Sequence, residues 1–121
     1  MPSESKRILI VENDIDALTL IYTTLLPLDF ALEAAIDSSE LRLRVERFQP
    51  DLILLGTALG DVDEQELCLW IKRNYNTRVI GIGKPAEVAH HRPGELCLDD
   101  ILEKPVCPHK LLTKLNHLLP V

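Results

Sequence analysis

The residues of this chain that could do chemistry lie where apolar runs end. Four such runs are followed by polar or small residues, which in chain order are Glu12-Asn13-Asp14, Gly56-Thr57, Gly83-Lys84 and Glu103-Lys104-Pro105. If the runs are parallel strands, these residues lie near one another, because functional groups of open α/β sheets gather at the carboxyl ends of the strands. A functional site is therefore expected at that edge.

One of these ends has glycines before a lysine and could hold a phosphate. A full phosphate-binding loop also needs a glycine five residues upstream of the Gly-Lys pair and a Ser or Thr after the lysine. Here the pair is Gly83-Lys84. The upstream position is occupied by Arg78, and the position after the lysine is occupied by Pro85. A tight strand end against neighbouring backbone is the better interpretation.

Metal and thiol chemistry have little support in the sequence. The histidines are His90, His91, His109 and His117, and the cysteines are Cys68, Cys97 and Cys107. No acid or cysteine completes a metal-ligand set around the histidines at standard spacing, so solvated histidines are favoured over metal or phosphorelay roles. An odd number of distant cysteines without a CxxC pair argues against disulfides and thiolate zinc, and fits a reducing cytosol.

The polar residues that follow the apolar runs can come together only if the runs form a sheet, and the hydrophobic pattern predicts one. Apolar runs alternate with amphipathic stretches, which is typical of a parallel sheet covered by helices on both faces. Strands are predicted at 7–11, 30–36, 51–55, 78–82 and 100–102. Helices are predicted from a cap at Asp14 to Pro27, from caps at 37–39 to about Phe48, at 64–75, weakly at 86–94, and from Pro108 onward. The pattern amounts to five βα units.

Length, composition and charge limit the classes of protein that fit. A chain of 121 residues with 46% hydrophobic and 26% charged residues is predicted to form one soluble domain over 1–121. Its net charge of −6 disfavours direct contact with nucleic acid or an anionic membrane. There is no run near the ~18 apolar residues of a membrane span and no signal-peptide pattern, so a cytoplasmic location is expected.

Four segments in register resemble the receiver domain of two-component response regulators. They read ILIVEND at 8–14, PDLILL at 50–55, VIGIG at 79–83 and DILEKPV at 100–106. The resemblance covers essentially the whole chain. It implies a flavodoxin-like (βα)5 fold, a doubly wound parallel sheet with strand order 2-1-3-4-5.

The resemblance also implies a specific chemistry. In that family an aspartate at the end of strand three accepts a phosphoryl group from a kinase histidine, and two acids after strand one help to hold Mg²⁺. A Ser or Thr after strand four and a lysine before proline contact the phosphoryl oxygens, and an aromatic residue on strand five responds to the switch. The carboxylate is the nucleophile, and the cation neutralises the charge that develops on the transferred group.

When the family's functional positions are mapped onto this sequence, most of the required side chains are missing. The departures are Asn13 for the second acid, Gly56 for the phosphoacceptor, Gly83 for the hydroxyl and Ile101 for the aromatic residue. Glu12 and Lys104 remain. Glycine has no side chain to attack phosphorus or bind a metal, so the chain is expected to be a pseudo-receiver and not an enzyme.

Charge counting predicts what the two remaining groups do. A working pocket sets about three carboxylates against one lysine, and this excess negative charge attracts a hard cation. With Glu12 facing Lys104, the sequence predicts a direct ion pair. Neither Mg²⁺ nor another cofactor is expected.

Two alternatives stay open. A displaced phosphoacceptor at Asp61 or Asp63 would retain phosphorylation, although both fit solvated loop acids. Thr57 is expected to point away from Gly56, since neighbouring strand residues face opposite sides.

The second alternative is a small-ligand sensor. Gly56 and Gly83 remove bulk from adjacent strand ends, so this alternative predicts a shallow pocket there for a small ligand or anion, with Lys84 and Lys104 nearby.

A partner-binding face is predicted on the fourth helix, fifth strand and fifth helix, where receivers dock. It comprises Val88, His91, Arg92, Leu98, His109, Lys110 and Lys114. This locally basic patch on an acidic protein suits an acidic protein surface. The expected partner is a signalling protein, either a histidine kinase, an output domain or a second copy of the chain.

Overall fold

The computed structural model describes residues 5–60, 63–88 and 98–119. Along these residues strands and helices alternate. Their bounds are β1 Lys6–Val11, α1 Ile15–Leu25, β2 Phe30–Ala35, α2 Ser38–Phe48, β3 Leu52–Gly56, α3 Glu64–Asn74, β4 Arg78–Gly83, α4 Pro85–Val88, β5 Asp100–Glu103 and α5 Pro108–Leu118.

The strands form one parallel sheet in the order β2-β1-β3-β4-β5. This confirms the predicted flavodoxin-like topology. The central place of β3 follows from its sequence, since all five of its residues are buried and a strand covered on both faces is continuously apolar. Gly56 pairs with Ile82, and Gly83 pairs with Glu103. These pairings bring the carboxyl ends of three strands to a common edge.

Two apolar layers cover the sheet, because successive strand residues face opposite sides. On one face Ile10, Leu54 and Ile82 pack with residues of α1 and α5. On the other face Val11 and Leu55 pack with residues of α2 and α3. The layers hold the strands in register, and therefore hold the groups at the strand ends in place.

Three aspartates cap the helices that leave this edge. Asp14 caps α1, Asp37 caps α2 and Asp63 caps α3, each accepting hydrogen bonds from backbone N–H groups of the first turn. Such caps stabilise a helix by about 1 kcal/mol each. The caps at Asp14 and Asp37 were predicted, whereas Asp63 was considered only as a loop acid or phosphoacceptor.

The observed bounds differ from the predicted ones by small amounts. The strand β3 extends through Gly56, and β2 ends at Ala35. The weak fourth helix is present as Pro85–Val88, and the remainder of its predicted span lies outside the described residues. Among the described helices, none has the length and apolar character to cross a membrane.

Candidate functional site

Residues that follow the strands continue the backbone hydrogen bonding and are thereby fixed at the mouth of the sheet. The N–H of Glu12 donates to Ala35 O at 3.0 Å, and the N–H of Lys104 donates to Gly83 O at 2.7 Å. The N–H of Thr57 donates to Ile82 O at 2.8 Å. Each side chain therefore starts from a rigid position.

Glu12 and Lys104 form the ion pair that the sequence predicts. The Lys104 Nζ lies 2.6 Å from Glu12 Oε1. The side chain of Lys104 is 15% exposed and that of Glu12 is 2% exposed. The other carboxylate oxygen of Glu12 accepts a hydrogen bond from the N–H of Asp14 at 3.1 Å. Oε2 is thus hydrogen-bonded, whereas Oε1 faces the charge of Lys104 without hydrogen-bond geometry. The buried carboxylate therefore has a compensating charge.

Asp14 adds a second carboxylate; the sequence places it at this edge and as the cap of α1, but its contact with Lys104 was not predicted. Its Oδ2 lies 3.6 Å from Lys104 Nζ. Its pKa is held below the ordinary 3.8, chiefly by the hydrogen bond from Ala17 N–H, against the opposing effect of desolvation. The N–H of Asp16 and the charge of Lys104 lower the pKa further. The signal in the sequence was its position two residues beyond Glu12.

Gly56 lies directly beneath the Glu12 carboxylate. A Cβ at position 56 would be 3.1 Å from Glu12 Oε2, 3.2 Å from Glu12 Cδ and 3.1 Å from Val11 O. The carboxylate therefore takes the space into which a side chain at position 56 would extend. Residue 56 is at the mouth of the sheet, as the resemblance requires of the phosphoacceptor position.

Asn13 faces the loop after β3. Its Nδ2 donates to Ala58 O at 3.1 Å and to Leu59 O at 3.3 Å. A carboxylate at position 13 could not make these contacts, since an ionised carboxylate only accepts hydrogen bonds. The neutral amide of Asn13 therefore suits these two backbone carbonyls, whereas a carboxylate would not.

The predicted open space above the two glycines is occupied. Glu12 covers Gly56, and the hydroxyl of Thr57 lies where a side chain of Gly83 would begin. Thr57 thus faces β4 and α4. A separate cleft of about 370 Å³ lies beside the ion pair and is lined by Asp14, Asp16, Ala17, Leu20, Lys84, Lys104, Pro105 and Val106.

The predicted partner face is only partly exposed. Leu98 is 5% exposed and belongs to the apolar core, so its assignment to the surface was wrong. The physical reason is Gly81, whose missing side chain leaves space that Leu98 Cδ1 fills, 2.9 Å from the Cβ position. His91 and Arg92 lie outside the described residues, and Val88 is the last residue of α4.

The remaining residues of that face lie on α5. His109 and Lys110 are exposed, and Lys114 Nζ contacts Asp100 Oδ1 at 3.0 Å. Together with the half-buried Ile101, they line a groove of about 690 Å³ between β5 and α5. The basic character of the face therefore comes from α5 within the described residues.

Of the two alternative phosphoacceptors, only Asp63 is among the described residues. Asp63 is engaged as the cap of α3, and Asp61 lies outside the described residues. In the ranges 5–60, 63–88 and 98–119, no three His, Cys, Asp or Glu side chains are arranged to hold a metal ion.

Comparisons with known proteins identify the family to which this fold belongs. Residues 8–116 match the family model of the response regulator receiver domain. The chain is 28% identical over 123 residues to the transcriptional regulatory protein GltR of Pseudomonas aeruginosa, covering 98% of this chain and 51% of that protein. It is 25% identical over 120 residues to "Probable transcriptional regulator ycf27" of Cyanophora paradoxa, covering 98% and 50%.

The fold has close structural counterparts. The chemotaxis response regulator CheY4 of Vibrio cholerae superposes with a TM-score of 0.85 at 18% identity, over 95% of this chain and 99% of that one. The chain spans about half the length of the curated relatives it matches. With the matched segment running from β1 almost to the end of α5, the chain belongs to the response regulator receiver domain family.

Proposed function

We propose that this receiver domain signals through protein contacts and is not switched by phosphoryl transfer at position 56. The observation that carries the proposal is the ion pair of Glu12 with Lys104, at 2.6 Å, lying over a glycine. In this arrangement the lysine already has a carboxylate partner. The domain is a pseudo-receiver and not an enzyme under this proposal.

Phosphoryl transfer to position 56 lacks a nucleophile, and the space beside the glycine is crowded. Gly56 supplies no carboxylate, and the Glu12 carboxylate stands within 3.2 Å of where a side chain would begin. An incoming phosphoryl group would have to separate Glu12 from Lys104. That step leaves a carboxylate, only 2% exposed, without its counter-charge, at a cost of several kcal/mol.

The residues at the site also fit Mg²⁺ poorly. Magnesium requires oxygen ligands in near-octahedral geometry. Glu12 Oε1 is paired with Lys104, and the Asn13 amide nitrogen is directed at backbone carbonyls. Position 56 contributes no ligand. The domain is therefore proposed to act without Mg²⁺ or another cofactor.

Without phosphorylation, the conformation can change only through a partner with different affinities for two states. On α5 Lys110 is exposed, beside His109 and the half-buried Lys114, and this basic character favours an acidic protein surface as that partner. A histidine kinase, an output domain or a second copy of the chain would each meet this requirement. No direct contact with nucleic acid or membrane is proposed, and the cytoplasm is the proposed location.

Phosphodonor treatment tests this proposal. The protein is incubated with acetyl phosphate and Mg²⁺ and its intact mass is measured, beside a receiver that has an acceptor aspartate. The expected result is no mass increase for this chain and one phosphoryl group for the comparison receiver.

The alternative phosphoacceptors are separated by matched variants. A gain of one phosphoryl group that Asp61→Asn or Asp63→Asn abolishes would overturn the proposal and establish a displaced acceptor.

The cleft beside the ion pair favours a second candidate, a sensor of small molecules. Its volume of about 370 Å³ is within the range of small-ligand sites. A thermal-shift screen with nucleotides and metabolites tests it. A ligand whose stabilisation disappears in Leu20→Arg, which blocks the cleft, would support this candidate.

A further inference from the structure

The mouth of the sheet has a second filled space, at the junction of β4 with α4. A Cβ at Gly83 would overlap Thr57 Oγ1, and would lie 3.2 Å from Thr57 Cβ and 3.0 Å from Glu87 Oε1. A side chain at position 83 and Thr57 in its present conformation are therefore mutually exclusive.

Thr57 has little freedom to move away. It is 8% exposed, and its backbone N–H is bound to Ile82 O at 2.8 Å. Its Cγ2 lies against β4, 3.7 Å from the Cβ position of Gly81. Since a β-branched side chain has few accessible χ1 rotamers, the hydroxyl remains directed across Gly83.

The hydroxyl connects β3 to the first turn of α4. Thr57 Oγ1 donates to Glu87 Oε1 at 3.4 Å. Glu87 Oε1 also accepts a hydrogen bond from the N–H of Lys84 at 2.8 Å. The N–H of Glu87 in turn donates to Lys84 O at 2.8 Å. The residues after β4 are thus held from both sides.

We infer that Thr57, Gly83 and Glu87 form a steric interlock that fixes the β4–α4 junction in one arrangement. Gly83 supplies the space, Thr57 fills it, and Glu87 links Thr57 to the backbone of Lys84. The interlock goes beyond the proposed function, since it does not depend on whether the chain accepts a phosphoryl group. It determines how α4, part of the predicted partner face, is presented.

A double-mutant cycle tests the steric part. Gly83→Ala should lower the folding equilibrium constant about tenfold or more while Thr57 is present, as overpacking does. In the Thr57→Ala background the same change should cost less than about threefold, because the two substitutions are coupled through direct contact. Equal costs in the two backgrounds would overturn the interlock.

A matched glycine provides the control. Gly81→Ala meets Leu98 Cδ1 at 2.9 Å, whereas Thr57 Cγ2 is at an ordinary contact distance of 3.7 Å, so its cost should depend much less on Thr57 than the cost of Gly83→Ala does. If Gly83→Ala alone does not fold, the comparison of Thr57→Ala with Thr57→Ala/Gly83→Ala decides. A tenfold loss in that comparison would contradict the interlock, and similar stability would support it.

Hydrogen exchange tests the link to α4. Thr57→Val removes the hydroxyl donor and keeps the branched shape, so exchange at the Lys84 amide should become several-fold faster. Thr57→Ser retains the hydroxyl and should keep exchange near the wild-type rate. Wild-type protection at Lys84 in Thr57→Val would show that the hydroxyl does not hold the junction.

Discussion

At the scale of single residues, the chemistry of the site depends on which charge compensates Lys104. Glu12 does so in this chain, and its side chain is one methylene longer than an aspartate. The extra length carries the carboxylate over position 56, where Oε2 comes within 3.1 Å of the Cβ position. The glycine at position 56 and the reach of Glu12 are therefore two parts of one arrangement.

Removing the lysine should destabilise the fold. Lys104→Met leaves Glu12 buried without a counter-charge, and we expect a loss of about 3 kcal/mol in the free energy of unfolding. Urea denaturation measures it. Lys84→Met, at an exposed lysine of the same cleft, should change stability by less than about 0.5 kcal/mol.

Adding Glu12→Gln should recover part of the loss in Lys104→Met, because the uncompensated charge is then absent. If Lys104→Met were as stable as the wild type, the ion pair would not be important to the fold.

Returning an acceptor side chain to position 56 should also be costly. Gly56→Asp places a second carboxylate against Glu12, and we expect a loss of about 2 kcal/mol from crowding and like-charge repulsion. In a Glu12→Ala background the same change should be stabilising, because the new carboxylate becomes the partner of Lys104. A similar cost in both backgrounds, measured by denaturation, would contradict competition for the same space.

Asp14 gives the fold a defined response to acid. Its pKa is lowered in the folded state, first by the Ala17 hydrogen bond, so its contribution to stability is present above the ordinary value of 3.8 and is lost as the pH falls through the lower folded pKa. Asp14→Asn should therefore reduce the dependence of unfolding free energy on pH below about 4. An unchanged acid dependence would argue against these contacts.

At the scale of the elements, strands and caps follow directly from local sequence. The apolar run of β3 predicts its central position, and Asp14 and Asp37 begin helices where capping residues are expected. Glu12 and Lys104 follow β1 and β5, and they come together because the carboxyl ends of parallel strands lie at the same edge of the sheet. These features can be predicted from short segments of sequence together with the general rule for the carboxyl ends of parallel strands.

Contacts between elements could not be predicted in the same way. Leu98 enters the core only because Gly81 on a neighbouring strand leaves space for it, and Thr57 occupies the space above Gly83 for a similar reason. The direction of the Asn13 amide depends on the path of the loop after β3. Such complementarity between distant positions has no periodic signal in one sequence.

The loop after β3 supplies a prediction at this scale. Asn13→Ala removes the donor to Ala58 and Leu59, and should cost about 1 kcal/mol. Asn13→Asp should cost at least as much, because the carboxylate cannot donate. Thermal or urea unfolding measures both. A stabilising Asn13→Asp in the absence of metal would contradict the structural role of the amide.

At the scale of the whole molecule, the receiver frame is retained while its reactive edge is filled by its own side chains. Two apolar layers fix the sheet, and the sheet sets the positions of Glu12, Thr57 and Lys104 at one edge. His109 and Lys110 lie in the first turn of α5, whereas Lys114 lies farther along the helix, against Asp100 at the start of β5. The chain is acidic and spans about half the length of its curated relatives. Under the proposed function, a partner that recognises α5 is the source of any change in conformation.

The most direct test follows the backbone amide resonances of Glu12, Gly56, Thr57 and Lys104 during titration with Mg²⁺ and then acetyl phosphate. We expect these resonances to stay at their initial positions throughout, because Lys104 is already paired with Glu12. Saturable shifts concentrated at these four residues would contradict it.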